Sequence, residues 1–253
     1  MRKALILLTL FALACLPAQR ASALLEVEAY FWYMLPDGTI AVGSGGRSGT
    51  TLDLETDLGY ADYEGVPGLT VVVGDRHQVG LNYFSMELSS SDRVRQDSRF
   101  GPLTFPGGSK VSSDFEAEFA RGFYRYDMGS SFARGGLIAG GQYMDFSARL
   151  SSASAGQTTE EMTAVIPIVG VYFVGHPLPF FGFRGSAVGS RWDIGDVEAA
   201  FMDIEFGAEL TFLGGFFAAG GYRYVTIDAT YDEDNSDVDV ALSGPMVYVG
   251  FEW

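Results

Sequence analysis

From residue 24 onward, apolar and polar side chains alternate with period two in one segment after another, and no run of about 18 apolar residues interrupts them. The alternation predicts ten strands, near residues 25–34, 67–74, 78–88, 113–126, 134–150, 158–174, 180–192, 197–213, 215–231 and 239–253. Their connections differ in length by turns. Residues 75–77, 128–133, 175–179 and 214 are short links, residues 35–66, 89–112, 151–157 and 232–238 are longer ones, and only 193–196 departs from the trend. Short turns at one end and longer loops at the other predict an all-β fold, a single antiparallel transmembrane β-barrel of about ten strands with short periplasmic turns and longer extracellular loops, within a range of roughly eight to twelve strands.

The facing of the side chains adds a second signal. Between 197 and 213, Ile204, Phe206, Ala208, Leu210 and Phe212 share one face, and Asp203, Glu205, Glu209 and Thr211 share the other. Toward the long-loop end the polarity swaps, with Glu198 on the first face and Val197, Ala199 and Phe201 on the second. Residues 134–150 behave alike: Leu137, Ala139 and Tyr143 give way on one face to Asp145, Ser147 and Arg149, while Ile138 and Met144 lead on to Phe146, Ala148 and Leu150. Residues 215–231 repeat it, Phe216, Ala218, Tyr222 and Tyr224 being followed by Thr226, Asp228 and Thr230. A water-soluble barrel keeps its apolar face inward throughout. A strand that leaves lipid for water must reverse, because its outer solvent changes from hydrocarbon to water.

That phase sends Glu26, Glu28, Gln78, Asn82, Arg121, Arg125, Gln142, Arg184, Asp203, Glu205, Glu209, Arg223 and Glu252 into the lumen. Charges held away from bulk water must pair. Four arginines facing six carboxylates therefore predict a largely occluded interior, with a narrow ion path as the alternative.

Composition locates the barrel. Arg2 and Lys3 precede the apolar stretch Ala4 to Leu16, and Ala21-Ser22-Ala23 supplies small residues, so residues 1–23 read as a cleavable secretory signal and 24–253 as the barrel. Leu13-Ala14-Cys15 resembles a lipoprotein cleavage site, but Ala12 and Leu16-Pro17 fit that pattern poorly, and Cys15 reads as apolar filler. The 16 bases and 32 acids give a formal charge of −16; losing Arg2, Lys3 and Arg20 leaves 13 bases and a charge of −19. So acidic a chain excludes nucleic acid as a partner.

Pro245, Val247, Val249, Phe251 and Trp253 alternate with Gly244, Met246, Tyr248, Gly250 and Glu252. Phe251 and Trp253, lipid-facing aromatics in the final strand, resemble the C-terminal signal that outer-membrane barrels present to the barrel-assembly machinery, and they suit a periplasmic aromatic girdle. The run Gly49-Thr50-Thr51-Leu52-Asp53-Leu54-Glu55-Thr56-Asp57-Leu58-Gly59, then His77 and Tyr83 in HQVGLNY, then Val111-Ser112-Ser113-Asp114 leading to Arg121 and Tyr124, resembles a family of small, porin-like and OmpA-like outer-membrane barrels of Gram-negative bacteria. The resemblance covers about residues 25–130. It implies the barrel fold and an outer-membrane location and assigns no catalytic residue. The chain is further expected to be a monomer in contact with outer-membrane lipid and lipopolysaccharide.

Little of the remaining chemistry points to catalysis. Outer-membrane proteases and lipid A deacylases of this architecture use a histidine near the outer leaflet or cell exterior, whereas His77 and His176 fall in predicted periplasmic turns. Asp203 and Glu205 are the carboxylates available to an acid–base enzyme, and they pair more simply with Arg121, Arg184 or Arg223. The expectation is therefore a non-enzymatic barrel with no cofactor and no built metal site. Asp232, Asp234 and Asp237 in the last long loop offer at most weak cation binding, since the turn glycine and distal glutamate of a calcium loop are absent. Leu52, Leu54 and Leu58 with Tyr60 and Tyr63 predict that the first loop folds back over the barrel mouth.

Overall fold

Each of the alternating segments has one hydrogen-bonding edge on either side, and a closed ring satisfies them all. The computed structural model describes residues 25–129, 133–194, 197–212, 215–231 and 235–253. The strands are β1 (Leu25–Ala41), β2 (Leu52–Asp53), β3 (Glu64–Val73), β4 (His77–Arg93), β5 (Ser98–Phe100), β6 (Leu103–Phe105), β7 (Lys110–Gly129), β8 (Ala133–Ser152), β9 (Gly156–Leu178), β10 (Phe181–Ile194), β11 (Val197–Thr211), β12 (Phe216–Tyr231) and β13 (Ser236–Glu252). Ten of them form one antiparallel ring in the order β1-β3-β4-β7-β8-β9-β10-β11-β12-β13, closed by β13 against β1 in a register that sets Glu26 opposite Glu252 and Trp32 opposite Met246. All ten predicted strands are present.

The expected facing holds around the ring. Phe206 is 53% and Val169 68% exposed on the outer surface, whereas Asp203, Phe201 and Met246 are buried inside. The outward reversal seen in three strands extends to β4, where Tyr83 gives way to Glu87, and to β7, where Tyr124 gives way to Glu118. A closed barrel with an apolar outer band and polar extensions above it spans a membrane, since no other β-architecture leaves every backbone group paired in hydrocarbon. The chain is an outer-membrane β-barrel of the Gram-negative cell envelope.

The outer connections differ from expectation. Residues 151–157 are not a long loop, since β8 and β9 continue until Ser152 pairs with Gly156. Of the loop expected at 232–238, residues 236–238 belong to β13, whose Ser236 pairs with Tyr231, and residues 232–234 lie outside the described residues. Once above the lipid, a strand whose inner face is still buried gains by staying in the sheet, so apparent loop length becomes strand length.

The first loop does fold inward. Leu52, Leu54, Leu58 and Tyr60 are buried, whereas Tyr63 stays 58% exposed, a correction to its expected place in the cover. Leu52 and Asp53 form β2 against the outer end of β1. The Asp53 carboxylate accepts from the Thr56 amide at 2.7 Å, and the amides of Asp57 and Leu58 donate to the Asp53 carbonyl, which ties the chain into a turn ending at Gly59 with φ 79°. The hydrogen bond from the Thr56 amide holds the Asp53 carboxyl below its usual range. Burial pushes the Tyr60 phenol up to about 12.

An element that periodicity missed completes the cover. The β5–β6 hairpin, too short to show alternation, buries Phe100 and Phe105 completely. It is joined to the first loop by Thr50 N–H to the Arg99 carbonyl at 2.8 Å and by Gly101 N–H to the Val42 carbonyl at 2.9 Å.

Phe206→Arg, midway along the lipid-facing side of β11, is expected to destabilise the barrel by about 2–4 kcal/mol, and Asp228→Arg above the lipid by less than about 0.5 kcal/mol. Denaturant unfolding in vesicles measures both, and equal effects would remove the lipid boundary from between them. A carboxylate whose folded pKa is lowered stabilises the fold above its ordinary value and ceases to do so as pH falls through the folded value. Residues 45–65 should therefore resist digestion at neutral pH and lose that protection at acid pH, and Asp53→Ala should be cut roughly fivefold faster at neutral pH.

Candidate functional site

Alternate residues of a strand lie about 7 Å apart along it, so inward charges from neighbouring strands gather in tiers. Counting upward from the periplasmic end, β1 contributes Glu26 and Glu28, then Tyr30, Trp32 and Met34, a passage from acid to aromatic to apolar. The other strands match it, and the lumen acquires a charged lower part and an apolar upper part.

The lower tier centres on Arg184 of β10. Its guanidinium stands 2.6 Å from Glu28 Oε2, 3.6 Å from Glu26 Oε1 and 3.5 Å from Glu209 Oε2. The Glu28 contact is ionic, with no hydrogen-bond geometry at that oxygen. The rings of Tyr248 and Phe217 lie 4.8 and 5.3 Å from the same guanidinium. Arg125 binds Glu26 Oε2 at 2.8 Å, donates to Gln78 and rests 4.3 Å from the Tyr172 ring.

The upper tier centres on Asp203 of β11. Arg121 donates to its Oδ2 at 2.6 Å, and Arg223 grips both oxygens at 3.0 and 2.8 Å. Arg121 also donates to Gln142 at 2.9 Å, and Arg223 to the Tyr30 hydroxyl at 3.2 Å, which Asn82 reaches at 3.1 Å. Arg223 lies under the aromatic layer, 5.0 Å from Trp32 and 4.6 Å from Phe84, and Phe84 stacks on Phe119 at 4.4 Å.

Arg223–Asp203 and Arg184–Glu209 join neighbouring strands, whereas other pairs cross the ring. Arg121 and Asp203 sit on strands four places apart, as do Arg184 and Glu28, and Arg134 meets Glu252 at 2.8 Å from the opposite side of the ten-strand ring. Between the tiers remains a cavity of about 90 Å³ bordered by Glu28, Asn82, Arg121, Arg184, Glu205 and Arg223.

The structure brings Glu26, Glu28, Arg121, Arg125, Arg184, Asp203, Glu209, Arg223 and Glu252 into ion pairs. Glu205 faces the cavity and, among the described residues, has no ion pair; it does not join Asp203 as a working couple. Sequence reasoning missed Arg134, a fifth arginine at the very start of its strand, where alternation is hardest to phase. It also assigned His176 to a turn. His176 lies within β9, and its Nε2 is 3.1 Å from Glu209. His77 is at the periplasmic end of β4, its ring nitrogen 2.5 Å from the Tyr124 hydroxyl.

Of the acidic-loop candidates, Asp232 and Asp234 lie outside the described residues, and Asp237 accepts from the Thr230 hydroxyl at 3.1 Å. Among the described residues no cluster of His, Cys, Asp and Glu has the geometry of a metal site. Phe251 packs on Phe216 at 4.9 Å, and Trp253 is exposed on the lipid side.

The fold is similar to that of the outer membrane protease OmpT from Escherichia coli, with a TM-score of 0.64 at 10% identity over 94% of this chain and 99% of that one. Looser likenesses are to the transport unit of the autotransporter AIDA-I from Escherichia coli, at 0.41, 6% identity and coverage of 98% and 97%, and to a Pseudomonas aeruginosa FadL homologue, at 0.39, 7% identity and coverage of 92% and 90%. No family model matches the chain, and no curated protein matches its sequence. Identity this low bears on the fold alone, that of an outer-membrane β-barrel.

Removing the cation at the centre of the lower tier leaves Glu26, Glu28 and Glu209 crowded together. Arg184→Met is expected to cost about 3–5 kcal/mol, read as a lower temperature for the heat-modifiable shift in gel migration. An unchanged temperature would mean that the tier does not hold the barrel together.

Proposed function

We propose that this protein is an outer-membrane barrel closed to ions, with a structural role in the envelope and a role in interactions at the cell surface. The observation that carries the reading is the set of cross-ring ion pairs, above all Arg121 with Asp203 and Arg184 with Glu28. A hydrated ion would have to displace paired charges in a low-dielectric interior and then pass the Trp32, Phe84 and Phe119 layer beneath the loop and hairpin cover. The resemblance to small porin-like barrels of Gram-negative bacteria fits the same reading.

The partners proposed are outer-leaflet lipid and lipopolysaccharide around the apolar band, the assembly machinery reading Phe251 and Trp253, and no second copy of the chain. The protein is not an enzyme in this reading. Asp203, one of the two acid–base candidates, is committed to two arginines, and both histidines stand at the periplasmic end.

Planar-bilayer recording tests the closed lumen. The purified protein should give no steady conductance steps, while Arg184→Ser with Arg223→Ser should introduce them. Steady steps from the unaltered protein would overturn the reading in favour of a small channel.

A further inference from the structure

The ladder between β9 and β10 stops short of the strands that form it. Its outermost pair is Val169 with Gly189. Both strands go on outward and stay paired on their other sides, β9 with β8 as far as Gly156 and β10 with β11 as far as Ile194. The β3–β4 ladder also stops early, at Gly68 with Phe84, immediately after Pro67 in the chain. There the first loop fills the opening, with Ser90 donating to the Gly59 carbonyl at 3.0 Å. Among the described residues nothing hydrogen-bonds into the β9/β10 opening.

The sequence supplies a cause. Continuing the register would bring Pro167 opposite Arg191, and proline has no N–H to give a ladder.

Behind the opening is an apolar pocket of about 60 Å³, lined from one edge by Met162, Ala164 and Ile166, from the other by Trp192, and at the back by Phe201 and Ile227. Met162 is on the inward face yet 42% exposed. The buried indole N–H of Trp192 has no acceptor among the described residues, and such a donor favours a ligand that carries an oxygen. Outside, Val165 and Val169 belong to the exposed apolar band, whereas Thr163, Glu161, Arg191 and Asp193 are polar. The opening therefore lies at the boundary between outer leaflet and water, continuous with hydrocarbon.

We propose that this seam is a lateral docking site for one acyl chain of an outer-leaflet lipid, with the Trp192 N–H donating to an ester oxygen at the head of the chain. The volume suits a short stretch of the chain, several water-sized groups long. The site is reached from the membrane, so it is compatible with a lumen that conducts nothing.

Bromine placed on lipid acyl chains quenches tryptophan fluorescence on contact, and Trp192 lines the pocket behind the seam. The difference in emission between Trp253→Phe and Trp253→Phe/Trp192→Phe, both folded in phosphatidylcholine vesicles, isolates Trp192. Brominated acyl chains should about halve that signal. Filling the pocket with Ala164→Phe, or with Ala199→Phe if the first does not fold, should remove most of the effect. Trp192 emission that is indifferent to brominated chains overturns the proposal, as does equal quenching in a folded, pocket-filled variant.

Discussion

In hydrocarbon no water is available to a peptide group, and each unpaired N–H or C=O costs several kcal/mol. That constraint makes the sheet close on itself, and closure makes the rest of the structure necessary. A ring of ten strands is little wider than one that side chains alone can fill, so inward residues meet across the axis. Arg134 reaching Glu252 is the direct expression of that width. The aromatic rings against Arg184 and Arg223 belong to the same arrangement, shielding the guanidinium faces while the carboxylates take the edges.

Above the lipid the same strands obey a different solvent. The inner face remains apolar because the first loop and the β5–β6 hairpin lie over it, and the outer face turns acidic, as at Glu87 and Glu118. A single strand thus carries two amphipathic patterns in series, the lower one inside out.

Much of this was legible in the sequence because it depends on parity. A period of two fixes which residues share a face, and the reversal along residues 197–213 fixes which face meets lipid, so Asp203 and Arg121 could both be assigned to the lumen. What parity does not contain is partnership across the ring. It placed Glu205 beside Asp203 as an equal, whereas two arginines pair with Asp203 and, among the described residues, none pairs with Glu205. Nor does it mark where strands end: residues 151–157 contain serines, a glycine and two alanines that suit a loop, and only the buried Leu150 and Thr158 beside them keep the sheet going. The β5–β6 hairpin is too brief to have a period at all, and its place depends on Phe100 and Phe105 finding the mouth.

The bridge between Arg134 and Glu252 also bears on the order of assembly. Arg134 opens the fifth strand of the ring and Glu252 ends the tenth, 118 residues later in the chain. Such a contact waits on the slowest event of a β-topology, the meeting of the two chain ends. The pair is therefore a contact of the finished cylinder alone, out of reach of a half-rolled sheet.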